Sequence, residues 1–325
     1  MLAQLTHPTV TDFNKETLTK LKSYFDIDFI NASSSDRQLW FTNLMTLGKH
    51  SLGVAHMIQH NQSARISIEF AFKDVALPEF YQKNYDDLIG CFCGYKSTDT
   101  IQLKHNHVSG TKHWTSFIDR ADFGILRVVD QAKQKAFVLF DFAAIDYTID
   151  STAYTPIGME IARPASFTIN NVIIPDNYIL GYQGTQEMFQ VSNFHDYCFI
   201  TNFLSCTIAL FQQIKTHAEK NNCGAKLNLD KLEISIATLK MLWEDNLYTV
   251  NETESTDQFW HRRNTQYVQG KSVLISLITL ALELGNSYYL DAKSPVSQIF
   301  RDALMLSSHQ GPLYKNAQDM YFVNL

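Results

Sequence analysis

The apolar residues of this chain change their period twice, and nothing else in the sequence constrains its fold as strongly. Up to about residue 86 they recur every three to four positions, as in Leu18, Leu21, Tyr24 and Phe25, the spacing of one helical face. A serine-rich stretch at 31–35 interrupts this pattern. Asp36 then stands as the expected cap of a helix carrying Leu39, Trp40, Leu44 and Leu47. A further helix is expected from Leu52 to Ala71. Between 87 and 184 the texture is short runs of β-branched and aromatic residues at 88–93, 101–107, 124–129 and 136–145, parted by Gly, Asp, Lys and Asn. Another run, at 167–174, ends at Pro175, which cannot donate to a ladder. Beyond 184 the helical period returns in long stretches near 185–220, 228–250, 257–286 and 296–323.

Strands with no crossover helices between them form a barrel or sandwich rather than βαβ units. The expected fold class is therefore α+β, with a short N-terminal α domain (1–86), a middle β-barrel (87–184) and a C-terminal four-helix bundle (185–325). The third long helix carries Val273, Leu274, Ile275, Leu277, Ile278, Leu280, Leu282 and Leu284. Apolar most of the way round, it is the expected buried member of the bundle and a candidate subunit contact.

Composition narrows the partners. The chain has 325 residues, 45% of them hydrophobic, which suffices for two or three packed units. A net charge of -6 argues against nucleic acid, whose binding relies on clustered Lys and Arg. The longest apolar run, 273–284, is shorter than the ~18 residues expected of a spanning helix. Residues 1–11 show no basic flank followed by an apolar core. Five scattered cysteines suggest reduced thiols. The expectation is a cytoplasmic protein that engages neither membrane nor nucleic acid.

Several strings then become informative together. Pro295-Val296, Phe300-Arg301-Asp302-Ala303 and Gly311 lie in order near the C-terminus. Gly110-Thr111-Lys112-His113-Trp114-Thr115-Ser116 is followed by Ala121-Asp122, and Val172 and Pro175 lead to Leu180-Gly181. With the helix–barrel–bundle order, these resemble the acyl-CoA dehydrogenase superfamily over residues ~50–325. The resemblance implies FAD, an acyl thioester on CoA or a carrier protein, and a homodimer or homotetramer built through the bundle. In that family the flavin takes a hydride from the substrate while a carboxylate removes a proton. Trp114 and Ser116 fall where the family packs an aromatic on the flavin ring and hydrogen-bonds its edge. Cys93 and Tyr95 fall at the flavin-contacting loop, Lys220 at an Arg that reaches a partner subunit's FAD, and Asn286 at a glycine-rich turn.

The departures are chemical as well as architectural. The flavin loop is cut to Gly94-Tyr95-Lys96-Ser97-Thr98-Asp99, and the glycine turn reads Asn286-Ser287-Tyr288-Tyr289. The family's catalytic Glu falls on Gln310, a neutral amide that cannot accept a proton. Its neighbour His309 points ~100° away on a helix. Some family members place the base on the first bundle helix, where His195 and Asp196 stand. The plainer reading of that pair is a solvated helix start.

Other groups have plain readings too: Arg301-Asp302 as a structural ion pair, Cys91 and Cys93 as buried thiols on one strand face. His56 and His60, with a His105/His107 strand pair, lack the further ligands of a metal site. Two other functions remain open at this level: a flavin-free partner subunit, and a flavin-dependent oxidase or monooxygenase of the same fold.

Overall fold

The computed structural model describes residues 15–84, 87–94, 96–183, 185–221, 226–249, 256–285, 289 and 295–308. Among the described residues four helices come first: α1 (Lys15–Phe25), α2 (Ser34–His50), α3 (Leu52–Ala71) and the short α4 (Glu79–Asn84). The cap of α2 is Ser33 rather than Asp36. The Ser33 hydroxyl accepts from the Asp36 N–H at 3.2 Å and donates to the Asp36 carboxylate at 2.6 Å. Asp36 thus completes a reciprocal cap from the third helical position.

Eight strands follow: β1 (Gly90–Cys93), β2 (Gln102–Lys104), β3 (His107–Thr115), β4 (Phe123–Asp130), β5 (Lys135–Asp141), β6 (Tyr147–Asp150), β7 (Ala165–Ile173) and β8 (Ile179–Tyr182). They form one sheet in the order β6-β7-β3-β2-β4-β5-β8, with β1 paired in parallel to the first half of β4. The run expected as one strand over 101–107 is a hairpin. His105 adopts a φ of 56° in its turn, so His105 and His107 are not an alternating strand pair. The strand expected over 136–145 ends at Asp141. Both β4 and β5 bury consecutive residues, because the sheet's inner face and the helices outside it take alternate side chains.

Four further helices follow among the described residues: α5 (Gln186–Lys220), α6 (Lys226–Thr249), α7 (Thr256–Gly285) and α8 (Pro295–Ser308). The buried member is α5, not α7. Residues 197–211 of α5 are buried without a break, enclosed by α2 and α3 on one side and by α6, α7 and α8 on the other. On α7, Ile275 and Leu282 remain 46% and 42% exposed. Two segments, Gln190–Lys220 and Asn264–Leu284, are long and apolar enough to cross a membrane, longer than the sequence reading allowed. The first of them is mostly buried in the protein's own core.

Arg301 and Asp302 do not pair with each other. Asp302 accepts from the Met159 N–H at 2.6 Å and from Gln298 at 2.8 Å, whereas Arg301 lies 3.5 Å from Glu160. Together they dock α8 on residues 158–160. Gly158 makes this docking possible: a Cβ there would lie 2.3 Å from the Arg301 carbonyl oxygen.

Candidate functional site: an imidazole cluster beside a strained tryptophan

The end of β3 carries the unusual backbone. Gly110 has a φ of 121° and no room for a Cβ, which would meet the Thr100 carbonyl at 2.4 Å. Opposite β7, the ladder is irregular between Lys112 and Thr115, and Trp114 takes a φ of 53°. A bulky residue at positive φ is strained, and such strain persists where the surroundings over-determine it. Here those surroundings are in place. The Trp114 N–H donates to the Tyr154 hydroxyl at 3.2 Å, and the Tyr154 ring sits 4.5 Å from the indole. The Lys96 ammonium lies over the indole at 5.3 Å. Although much of Lys96 is exposed, desolvation of its ammonium carries the pKa down to about 8, with Asp99 opposing.

The shortened loop is held by an ion pair out of water. Lys112, 1% exposed, meets Asp99 at 2.9 Å and also donates to the Gly94 carbonyl. Asp99 accepts in addition from the backbone N–H groups of Lys96 and His113, each at 2.8 Å. A buried carboxylate needs this many donors to offset its lost hydration. Beneath the loop, Cys93 and Cys91 are both buried and their thiols are hydrogen-bonded. That contact and Lys112 push Cys93 down, while burial pushes Cys91 up.

Beyond Trp114, Ser116 turns into the helices. Its hydroxyl lies 3.4 Å from His56 Nε2 on α3. The His56 ring is 4.2 Å from His60, and His60 is 5.1 Å from His195 on α5. Three imidazoles therefore run in edge-to-face contact from the strand to the central helix. His195 is held by Ser63 at 3.0 Å from Nδ1 and by Phe92, whose ring is 4.6 Å away. Gln59 donates to the His195 carbonyl at 2.9 Å and accepts from Asn202 at 2.8 Å. Burial lowers the His56 pKa to about 4, so its imidazole is neutral at pH 7. Among the described residues no group of three side chains is arranged to hold a metal ion.

His195 and Asp196 lie more than two turns inside α5, not at a solvated start. Their environments differ. His195 joins the imidazoles, whereas Asp196 faces Arg127, whose guanidinium donates to Ser192 at 3.0 Å and lies 4.7 Å from the Phe137 ring. Lys220 is exposed at the far end of α5, about 37 Å from His195 at 1.5 Å per residue. One chain cannot bring both to one small molecule. Near that far end, Tyr289 is fully buried, its ring 5.9 Å from His217 and 5.7 Å from Phe300. Tyr95, Asn286 and Gln310 lie outside the described residues.

The structure thus draws together Ser116 and His195 and adds His56, His60, Lys96 and Tyr154. The spacing of His56 and His60 marked that helix face in the sequence, but nothing local marked Tyr154. The components of a flavin-ring site are present in part. Trp114 offers an aromatic surface, Ser116 and the buried Thr115 hydroxyl offer polar groups, and Thr115 Oγ1 has no hydrogen-bond partner. Tyr289, in the stretch where the resemblance puts a glycine-rich turn, packs its ring against His217 and Phe300.

No protein-family model matches the chain, and no curated protein matches it significantly. Solved structures do. Butyryl-CoA dehydrogenase from Megasphaera elsdenii is 15% identical with a TM-score of 0.79, the match covering 98% of this chain and 95% of that one. KijD3, solved with FMN and a dTDP-amino-keto-sugar, is 11% identical with a TM-score of 0.77, covering 99% and 90%. Dibenzothiophene monooxygenase (TdsC) from Paenibacillus sp. A11-2 is 12% identical with a TM-score of 0.75, covering 99% and 95%. The chain shares its fold with these proteins, an acyl-CoA dehydrogenase-like α+β fold. Within that fold the solved proteins include both dehydrogenases and monooxygenases.

Proposed function

We propose that this protein is a flavin-dependent oxidoreductase acting on a small molecule, with histidine in place of the carboxylate base. The observation that carries the reading is the run from Ser116 through His56 and His60 to His195. Trp114, Ser116 and Cys93 are the residues that would hold the flavin ring, and the flavin would supply hydride acceptance or oxygen chemistry. This chain's own contribution is proton handling. Ser63 fixes His195 at Nδ1, Gln59 fixes its backbone, and His60 and His56 extend hydrogen-bonding groups towards Ser116. The buried Tyr289 supports FMN over FAD, because its ring, packed against His217 and Phe300, takes up space where the family's glycine turn would meet the dinucleotide's second half. A cluster of imidazoles beside Ser116 supports a polar substrate, and hence oxidase or monooxygenase chemistry, over desaturation of an aliphatic acyl thioester.

The exposed apolar residues of α6 and α7 support assembly into a homodimer or homotetramer through the bundle. The same packing of Tyr289 favours one rival, a flavin-free partner subunit. The test is the absorption spectrum of purified protein after incubation with FMN or FAD. A yellow protein with raised melting temperature is expected, since a ligand bound only by the native state stabilises it. Colourless protein with no shift for either flavin would establish the rival. With flavin bound, acyl-CoA should fail to reduce it anaerobically, and His195→Gln should slow turnover. Rapid reduction by acyl-CoA would restore the dehydrogenase reading.

A further inference from the structure

Two groups press on the Trp114 ring. The Lys96 ammonium lies over it at 5.3 Å and the Tyr154 ring stands 4.5 Å away at 61°. A planar ring stacking on the indole where Tyr154 stands would require Tyr154 to leave. Lys96 is tied at its backbone to the buried Asp99 carboxylate. Tyr154 belongs to residues 151–157, most of which are exposed, between the end of β6 and the docked Gly158. Its hydroxyl reaches the Trp114 N–H at 3.2 Å, His113 Nδ1 at 3.2 Å and Ser166 Oγ at 3.3 Å.

We propose that Tyr154 is a gate on the flavin-ring site, competing with the isoalloxazine for one face of Trp114. The inference rests on the flavin reading above and adds to it a regulated entry. The segment has what a gate needs: fixed ends, an exposed middle and one aromatic side chain held by three polar contacts at its tip. Both ends are pinned, by Asp150, which accepts from the Thr152 N–H at 2.9 Å, and by Met159 bonded to Asp302. A site whose competent form is only partly populated binds with affinity reduced by that fraction.

The experiment is a titration of the whole protein with FMN and with FAD, followed by flavin and tryptophan fluorescence. It compares wild type, Tyr154→Ala, Tyr154→Phe and Trp114→Leu, with each melting temperature recorded. Tyr154→Ala should bind flavin about tenfold more tightly, the scale of one aromatic pair plus a hydrogen bond. Tyr154→Phe should fall between, and Trp114→Leu should lose binding while still melting cooperatively. If the wild type binds flavin and Tyr154→Ala binds no better, the gate is wrong and the flavoprotein reading stands. Unchanged binding by Trp114→Leu would also remove the gate. If neither wild type nor Tyr154→Ala binds either flavin, both proposals fall together.

Discussion

His56 and Asp302 are perturbed by the same cause, burial, with opposite consequences for stability. The His56 pKa is lowered to about 4, so the unfolded chain binds the extra proton and stability is lost as pH falls from about 6.5 to 4. The Asp302 pKa is raised to about 6, so the native state binds the extra proton and stability is lost as pH rises from 3.8 to about 6. Each effect amounts to at most about 3 kcal/mol, and the two windows overlap, so they offset one another in the wild type. Single substitutions should separate them. In urea melts at pH 4.5 and 7.5, His56→Gln should make the protein gain stability on acidification relative to wild type. Asp302→Asn should make it lose stability. Identical pH dependence in all three proteins would refute both assignments. The sequence marked these residues without their surroundings: Asp302 read as the partner of Arg301, and His56 as one of two histidines a helical turn apart that lacked the further ligands of a metal site.

At the scale of elements, the loop between β1 and β2 is the feature most reduced from the family pattern, yet it is firmly held. A buried pair such as Lys112–Asp99 contributes little net stability when intact, but breaking it strands a charge. Lys112→Met should therefore destabilise by about 3–5 kcal/mol in denaturant unfolding. Adding Asp99→Asn should recover part of that loss by removing the stranded charge, although its single amide oxygen can accept from only one of the Lys96 and His113 N–H groups, which bond different carboxylate oxygens. A double variant no more stable than Lys112→Met would show that the pair itself, rather than the stranded carboxylate, carries the cost. The strand and helix pattern was legible wherever one face of an element is buried. The hairpin at His105 carries neither Gly nor Pro; its turn falls in the polar run Lys104-His105-Asn106-His107, where Asn106 is the only strong turn former. The cap of α2 was misplaced by three residues because Ser33 and Asp36 are both good capping residues and bond each other.

For the whole molecule, two of the outer bundle helices each expose a pair of large apolar residues. Ile234 and Met241 on α6 are 68% and 65% exposed, each pair of sites two turns apart, as are Ile275 and Leu282 on α7. An assembly through the bundle should shield them. Sedimentation should show a dimer or tetramer for wild type and a smaller particle for the combined Ile275→Lys and Leu282→Lys variant. A wild type that sediments as a monomer at all concentrations would remove this interface and the trans role implied for Lys220.

The sequence by itself determined the order of layers, the long helices and the place of α8, because each follows from a period repeated over many neighbouring residues. Even the motif glycine Gly110 was visible. Tertiary structure alone decided that α5 rather than α7 is central, that Arg301 and Asp302 face residues 158–160, and that His195 rather than Asp196 meets the imidazoles. It also decided that Tyr154 covers Trp114. Periodicity is a property of adjacent residues, whereas these contacts join side chains 40 to 140 positions apart, and only the packing of helices on the sheet selects them.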